Sequence, residues 1–386
     1  MLKYLRFLMG HILVLVGIVG MVLGGAFLWL GFLVTVVITV GGDALLGDDM
    51  REPDYRRPGF FMVSMYLALP LLFLLAISFA WMLGSGDFLG LGAFVSGAFG
   101  YDMFAARASL QPIHIVGGVL SAALLFALSG TDIGHELVHR TSDRPSLMIG
   151  RWLLAFTWDS QFSIEHVYGH HELVCTPRDP ATARRGEGFY PFLLRSILGQ
   201  VRSAWNLEAN RLRKRGHSVF SVRNRMFSGW LMTLLITGIF FAAGGWSAAV
   251  LFTVSAIFGK SVLEVVNYFE HYGLVREPGV PVQPRHSWNT NKNMSNIVLH
   301  NVTRHSHHHA KGDDPFWVLK SMPEAPTMPY GYLTTLLIVY LTPWWFKSYM
   351  KPLLKQWDET MASPGERELV RTRTMAGKKL EPMASV

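Results

Sequence analysis

Apolar residues form six long runs along the chain, and two extended polar stretches lie between or after them. A helix that crosses a bilayer needs about 17–25 mostly apolar residues. Runs near that length occur at 7–24, 26–43, 60–84, 112–130, 227–243 and 246–266. The first two are almost continuous, and Gly24–Gly25 predicts the turn of a tight hairpin. The pattern predicts an all-α integral membrane protein with six transmembrane helices, built as one domain over 1–386.

The first run follows a basic start, Met1–Arg6, and this arrangement resembles a signal peptide. No small-residue cleavage site separates the first run from the second. We therefore expect a retained first helix.

The distribution of positive charge predicts the orientation of the spans. With the N-terminus inside, the outer segments are 85–111 and the short turns near 25 and 245. Of the 35 Lys and Arg residues, only Arg107 is then outside, as the positive-inside rule requires. The polar stretches 131–226 and 267–386 both become cytosolic, and we expect them to form a helical cap on the inner membrane. The aromatic run 333–346 is short for a span and is predicted to be an interfacial helix.

Composition supports a membrane protein and restricts its chemistry. Only 16% of the residues are charged, against about 25% in soluble domains. The net charge is +8, but the basic residues flank apolar segments, so we expect contact with anionic lipid rather than nucleic acid. The single cysteine, Cys175, excludes an internal disulfide framework and a four-cysteine iron site. Electrons for a redox reaction would have to come from another protein or cofactor.

Histidines cluster in three boxes and one further motif. These are Gly-His-Glu-Leu-Val-His-Arg at 134–140, Glu-His-Val-Tyr-Gly-His-His at 165–171, Asn-Tyr-Phe-Glu-His-Tyr-Gly at 267–273 and Arg-His-Ser-His-His-His-Ala at 304–310. Residues three or four apart share one face of a helix. Each box can therefore direct two imidazoles to one point.

The predicted topology places all four motifs on the same side of the membrane. A helix over 112–140 would be about 43 Å long at 1.5 Å per residue, whereas the hydrocarbon core is about 30 Å thick. His135 and His139 would therefore emerge at its inner edge, and His271 follows the inner end of the sixth span. Spacing and topology together predict one site at the inner interface.

The number of histidines indicates two metal ions. His135-Glu-Leu-Val-His139 alone would also fit a zinc protease with Glu136 as general base, but one zinc needs only three protein ligands. Imidazole by itself does not select among Fe, Zn, Cu and Ni. Two metals with open positions point towards oxygen chemistry. The candidate ligands are His135, His139, His166, His170, His171, His271, His305, His308 and His309.

Nearby carboxylates are expected to orient the histidine rings by hydrogen bonds. The candidates are Glu136, Glu165, Glu264, Glu270 and Asp179. Glu264 has two interpretations. It lies two turns before His271 on the same face, but it also lies four residues after Lys260, where an ion pair is equally expected.

The ordered boxes resemble those of the membrane-bound alkane and xylene monooxygenases, relatives of the histidine-box fatty acid desaturases. The resemblance runs over most of the chain. Besides 135–140, 165–171 and 304–310, it includes Thr-Pro-Arg-Asp-Pro-Ala-Thr-Ala-Arg at 176–184, Asn-Tyr-Phe-Glu-His-Tyr-Gly-Leu at 267–274, Arg-His-Ser-Trp-Asn at 285–289 and Glu-Ala-Pro at 324–326.

This resemblance implies a non-haem di-iron monooxygenase with six spans. It implies that the nine histidines bind two irons, and that the enzyme uses O₂ to hydroxylate the terminal methyl group of an apolar substrate. Electrons would come from a rubredoxin-type protein in the alkane branch, or from a ferredoxin–reductase type in the xylene branch. We expect the substrate to enter from the bilayer through a channel among the first four spans, with Trp29 as a candidate lining residue; a lipid-facing tryptophan is the other interpretation.

The chain departs from the alkane branch in ways that leave the hydrocarbon open. His307 stands where that branch has an aspartate, after Val302-Thr303, and could compete as a ligand or contact one. The first box ends in Arg140 as in the xylene branch, whereas 179–181, Asp-Pro-Ala, resembles the alkane branch.

Two other functions fit parts of the pattern. A fatty acyl desaturase or hydroxylase shares the boxes and the O₂ chemistry. A membrane metal transporter or sensor would place ionisable ligands near the middle of the bilayer, but the predicted spans are nearly free of charge.

Overall fold

Helices joined by loops make up the part of the chain that the computed structural model describes, residues 2–376. Within that range it contains no strand, only two isolated bridges. Five helices are long and apolar enough to cross a membrane: α1 (Lys3–Leu23), α2 (Gly25–Leu46), α3 (Pro58–Leu83), α6 (Pro112–Val138) and α10 (Arg225–Glu270). The prediction of an all-α, multi-pass membrane protein is confirmed.

The remaining helices are shorter or more polar and lie between or after these. They are α4 (Phe88–Phe99), α5 (Met103–Ala108), α7 (Arg144–Ala155), α8 (162–173), α9 (Phe189–Lys214), α11 (Asn293–Val298), α12 (His305–Ala310), α13 (Tyr332–Leu341), α14 (Pro343–Thr360) and α15 (Pro364–Ala376). The last ten residues of the predicted cytosolic part, 377–386, lie outside the described residues.

Helix α10 comprises two membrane-length halves. Its 46 residues are interrupted at Gly244 and Gly245, and Gly245 adopts φ +64° and ψ −155°, which is outside the range that other residues readily adopt. A Cβ atom at Gly244 would lie 2.8 Å from the carbonyl oxygen of Leu83, so the break also lets α10 approach the end of α3. The five long helices are thus consistent with six crossings.

The hairpin between α1 and α2 turns at the predicted glycines. Gly24 and Gly25 have φ values of +66° and +53°, the left-handed region that glycine enters without a Cβ penalty. A Cβ atom at Gly20 would lie 2.5 Å from the carbonyl oxygen of Phe27. Close packing of α1 on α2 therefore depends on these small residues.

The predicted outer loop 85–111 contains α4 and α5. Its one arginine, Arg107, lies over the ring of Trp81 at 4.0 Å and donates hydrogen bonds to the carbonyl oxygens of Trp81 and Gly86. The guanidinium therefore satisfies the backbone carbonyls at the end of α3.

Two π-helical turns lie next to the histidine boxes. One, Phe126–Thr131, is a wholly buried part of α6 just before the first box. The other, His166–His170, is the central turn of α8 and contains the second box. A π turn forms i→i+5 hydrogen bonds, and such turns are frequent at functional sites.

Long-range hydrogen bonds attach the segments that were predicted to be cytosolic to the spans. Asp43, near the C-terminal end of α2, accepts hydrogen bonds from the backbone nitrogen and hydroxyl of Ser295 at 2.8 and 2.5 Å. Arg304, buried just before α12, donates to the carbonyl oxygens of Leu319 and Asp49. These contacts fix the position of the third box relative to the membrane helices.

The run 333–346 is divided between two helices. Helix α13 ends at Leu341, and Pro343 begins α14. Leu341 and Trp344 expose 75% and 71% of their surface, whereas the hydroxyl of Tyr340 lies 2.6 Å from that of Ser261 on α10. The run is therefore partly packed on a span, and its position at the lipid interface stays a prediction.

Candidate metal centre

The structure brings the nine candidate histidines together in two groups. In each group one ring nitrogen per residue lies within 4.8 Å of all the others. The five-histidine group contains His135, His139, His166, His171 and His308, and the four-histidine group contains His170, His271, His305 and His309. The two groups lie side by side, since the rings of His170 and His171 belong to different groups but follow one another in α8.

The second box pairs differently from the expectation of a four-residue step. His166 joins His171, with their Nε2 atoms 3.0 Å apart, while His170 joins the other group. The reason is the π turn at His166–His170. Its wider i→i+5 winding brings residues five apart onto one face, whereas a regular α-helix would bring residues four apart together.

The third box supplies both groups. His305 and His309, four apart on α12, join the four-histidine group, and His308 faces the five-histidine group. Of the two spacings in this box, the four-residue step from His305 to His309 lies within one group, and the three-residue step from His305 to His308 joins the two groups. The four-residue pairing of His135 with His139 at the end of α6 is present, and their ring centroids are 4.9 Å apart.

Short contacts between ring nitrogens fit a cation better than hydrogen bonds. The Nε2 atom of His308 lies 3.0 Å from that of His135 and 3.1 Å from that of His171. A neutral imidazole nitrogen carries one proton or one lone pair, so a single Nε2 cannot serve such a chain of contacts. Ligands about 2.1 Å from a metal and at right angles to each other are about 3.0 Å apart. The residues present therefore fit a metal ion.

Burial favours the neutral form of these rings, which is the form that binds metal. Desolvation, reinforced by neighbouring histidines, lowers the pKa of His139 to about 4 and that of His271 to about 3. The same two causes lower the pKa values of His166, His171, His305, His308 and His309 well below the ordinary value. His170 differs: burial lowers its pKa, but the charge of Asp179 and the hydrogen bond to it outweigh burial and raise the pKa.

The four-histidine group has polar partners on the outer sides of its rings. His170 donates from Nδ1 to Asp179 at 3.0 Å, and Asp179 also accepts from Thr182 at 2.5 Å. His271 donates from Nδ1 to the carbonyl oxygen of His286 at 3.1 Å. Such partners fix the tautomer and orientation of a ligand ring.

Glu270 contacts the four-histidine group directly. Its Oε2 lies 3.1 Å from Nε2 of His305, and its Oε1 accepts a 2.5 Å hydrogen bond from the hydroxyl of Tyr332. Tyr332 was not among the candidates, and its place in the sequence, 62 residues after Glu270, carries no local signal.

The other candidate carboxylates differ in position. Glu136 accepts hydrogen bonds from Arg140 at 3.1 Å and from the backbone nitrogen of Phe316 at 3.2 Å. Glu264 pairs with Lys260 at 2.7 Å and accepts from Gln200. For Glu264 the ion pair is thus the interpretation that the structure shows.

Glu165, beside His166, is buried with Ser203 close by. Burial, and then the charge of Asp179, raises its pKa. Its Oε1 has no hydrogen-bond partner among the described residues. Glu165 is 2% exposed and therefore does not reach the surface of the protein.

His307 belongs to neither group. It is buried on α12, and its Nδ1 has no hydrogen-bond partner within residues 2–376. The sequence did not indicate another buried pair: His300 donates from Nδ1 to Asp132 at 2.7 Å, and Asp132 lies one turn before His135. The three-residue spacing of Asp132 from His135 was the available signal.

An apolar cavity of about 100 Å³ reaches the histidines. Aliphatic side chains of α6, α10 and α13 form most of its wall, among them Leu124, Val262 and Leu336, and Thr39 contributes from α2. At its inner end lie His135, His166 and His305.

The cavity differs from the channel expected among the first four spans, because α1 and α3 do not line it and α10 does. Trp29 is not among its lining residues either. Its indole nitrogen donates to the carbonyl oxygen of Ile113 at 3.0 Å, at the other end of α6 from the first box. A role of Trp29 in substrate entry stays a prediction.

Comparisons with known proteins agree with this architecture. Residues 110–353, which contain all nine histidines, match the fatty acid desaturase family. The chain is 31% identical over 365 residues to the xylene/toluene monooxygenase hydroxylase component of Pseudomonas putida, covering 95% of this chain and 93% of that one. It is 33% identical over 330 residues to an alkane 1-monooxygenase of Pseudomonas putida (82% and 75% covered).

A third relative is alkane 1-monooxygenase 1 of Alcanivorax borkumensis, which is 32% identical over 356 residues, with 88% of this chain and 81% of the relative covered. The family match and the similarity over most of the chain therefore agree with the resemblance seen in the histidine boxes. The chain belongs to the fatty acid desaturase family and, within it, to the group of the membrane alkane and xylene monooxygenases.

Proposed function

We propose that this protein hydroxylates the terminal methyl group of a hydrocarbon, an n-alkane or an alkyl-aromatic such as xylene, to the primary alcohol. The carrying observation is an apolar cavity that ends on two adjacent groups of buried histidines. The balanced reaction is RH + O₂ + 2e⁻ + 2H⁺ → ROH + H₂O. The names of the relatives support both the substrate class and the reaction.

The two groups would hold two irons, five histidines to one and four to the other. When bound, the irons supply the activation of O₂ and the cleavage of a strong C–H bond, which no side chain can perform. The protein contributes neutral imidazoles, fixed ring orientations and a dry site.

The cavity wall orients the substrate and excludes water. The side chains of Leu124 and Leu128 on α6 and of Val262 on α10 form no hydrogen bonds. A hydrocarbon can therefore displace water from this part of the wall without breaking hydrogen bonds to the protein. The polar lining residues include the histidines His135, His166 and His305. A linear or ring-bearing substrate is therefore held with its methyl group towards His135 and His305, where exclusion of water prevents side reactions.

Asp179 and Glu270 hold the four-histidine group. Asp179 accepts a hydrogen bond from the protonated Nδ1 of His170, which leaves the Nε2 of that ring free for a metal. Glu270 contacts His305 and is itself held by Tyr332. Negative charge so close to two divalent ions offsets part of the positive charge that nine neutral ligands leave uncompensated.

The same reasoning extends to location and partners. The chain would act as one domain in the inner membrane, with the histidines towards the cytoplasm. It would take O₂ and the apolar substrate directly, the latter from the lipid. Because the sequence holds one cysteine, its two electrons would come from a separate rubredoxin-type or ferredoxin-type protein.

The test combines metal analysis with product analysis. Purified protein should contain about two irons per chain, and cells expressing it should convert n-octane or p-xylene to the primary alcohol. His305→Ala provides the inactive control. Full activity with zinc alone would contradict the proposal, and a desaturated acyl lipid as the only product would assign the chain to the desaturase reaction instead.

A further inference from the structure

An open cleft of about 430 Å³ lies on the predicted cytosolic side, between α9 and the loop that follows α8. We name it the arginine cleft after the residues at its rim, Arg178, Arg184, Arg195 and Arg202. Asp179 lies at its floor and is 3% exposed. The cleft is separate from the apolar cavity, which opens among the membrane helices.

The rim carries positive charge that the protein does not neutralise. Arg178, Arg184 and Arg202 are exposed, and none of them forms an ion pair within residues 2–376. Arg195 instead pairs with Glu187 at 2.8 Å and donates to the carbonyl oxygen of Pro180, so it holds the loop in place. Three unpaired arginines around one polar depression form a surface complementary to an acidic partner.

The floor of the cleft is connected to the metal centre. Asp179 accepts the hydrogen bond from Nδ1 of His170, and His170 is a member of the four-histidine group. One hydrogen bond and one imidazole ring therefore separate the cleft from that group. An electron that enters here has a short path through bonded atoms.

The other accessible approach is less suited to an acidic partner. His139 and His171 are partly exposed, but the loop 311–314 passes over His171, and a Cβ atom at Gly312 would lie 3.0 Å from its Nδ1. That loop has mixed charge, since Asp313 and Asp314 follow Lys311.

We propose that the arginine cleft docks a small acidic iron–sulfur or rubredoxin-like carrier, which reduces the metal centre through Asp179 and His170. This inference rests on the proposed hydroxylation. Two carriers each lose one electron per turnover. The two electrons and two protons reduce O₂, one oxygen atom becoming water and the other the hydroxyl of the product. Carrier exchange between turnovers requires an open, salt-sensitive contact rather than a buried one.

The experiment compares two ways of reducing the same enzyme in detergent. In the first, dithionite reduces the metals and one turnover with O₂ and n-octane or p-xylene is measured; dithionite needs no docking surface. In the second, steady-state turnover is driven by an acidic rubredoxin or a plant-type ferredoxin, each with its reductase. The variant is Arg178→Glu with Arg184→Glu and Arg202→Glu. The matched control is Arg213→Glu with Lys214→Glu and Arg215→Glu, an equal charge change at the end of α9.

The cleft variant should keep the dithionite turnover and lose at least about tenfold in kcat/KM for the carrier, with a weaker dependence on salt. The control should keep both, and replacing the three arginines by lysine should restore most of the carrier-driven rate.

The inference is overturned if the cleft variant matches the control, if only Lys311→Glu slows the carrier, or if neither carrier drives a wild type that is active with dithionite. Absence of hydroxylation even with dithionite would instead refute the proposed function, and the inference with it.

Discussion

The two histidine groups differ in what surrounds them. The four-histidine group is wholly buried, and its rings contact Asp179, Glu270 and the backbone of His286. The five-histidine group has two partly exposed members, and no carboxylate hydrogen-bonds its rings within residues 2–376. One group thus has oriented, charge-bearing partners, and the other has a fifth histidine instead. The difference implies that partner substitutions should affect the groups unequally, whereas ligand substitutions should not.

The largest effects are expected from two adjacent residues of α12. His308→Ala removes a proposed ligand from the five-histidine group, and His309→Ala removes a proposed ligand from the four-histidine group. Each variant should lose about one of two irons and more than about 100-fold in hydroxylation, because loss of a ligand exceeds the cost of losing a partner of a ligand. Iron analysis with Mössbauer spectroscopy should show that different irons survive.

Identical residual spectra from those two variants would contradict the division into two groups. His307→Ala, between them in sequence but in neither group, is the control, and should retain both irons.

Asp179→Asn tests the partners of the four-histidine group. Asparagine keeps the size of the side chain but not the charge that holds His170, so iron affinity of that group alone should fall about 10–100-fold. Titration with a chelator measures this loss. Glu136→Gln is the matched control, because Glu136 contacts Arg140 and Phe316 rather than a ring. Equal losses in the two variants would remove the contrast between the groups.

The sequence predicted which nine histidines come together, and the structure brings all nine into two groups. Eight of them lie in boxes whose spacing is a local property of a helix, and the ninth, His271, followed from its place after the sixth predicted span. The sequence could not assign them to groups. His166 and His171 pair across a π turn, and the i→i+5 winding depends on backbone hydrogen bonds that residue spacing does not record. The expected step from His166 to His170 followed the regular helix and failed there.

Contacts between distant elements were also beyond the sequence. Tyr332 reaches Glu270 only because α13 packs on α10, and the cavity lies beside α10 rather than among the first four spans for the same reason. Glu264 shows the opposite limit: both of its interpretations were visible, and the short distance to Lys260 in the folded chain decides between them.

Tyr332→Phe should have a smaller effect than Asp179→Asn, again confined to the four-histidine group. It deletes the hydroxyl that donates to Glu270 at 2.5 Å, yet leaves the ring packed against Phe269 at 4.8 Å between centroids. Loss of a hydrogen bond to a charged group costs about 1.5–3 kcal/mol. Glu270 keeps its contact with His305, so we expect the loss in iron-binding free energy to be smaller than that. Iron affinity and the hydroxylation rate should each fall about tenfold.

Tyr349→Phe is its control, because the Tyr349 hydroxyl belongs to the same packed region but contacts neither group. A loss from the five-histidine group in Tyr332→Phe would mean that Glu270 serves both irons, and the two groups would then have to be treated as one electrostatic unit.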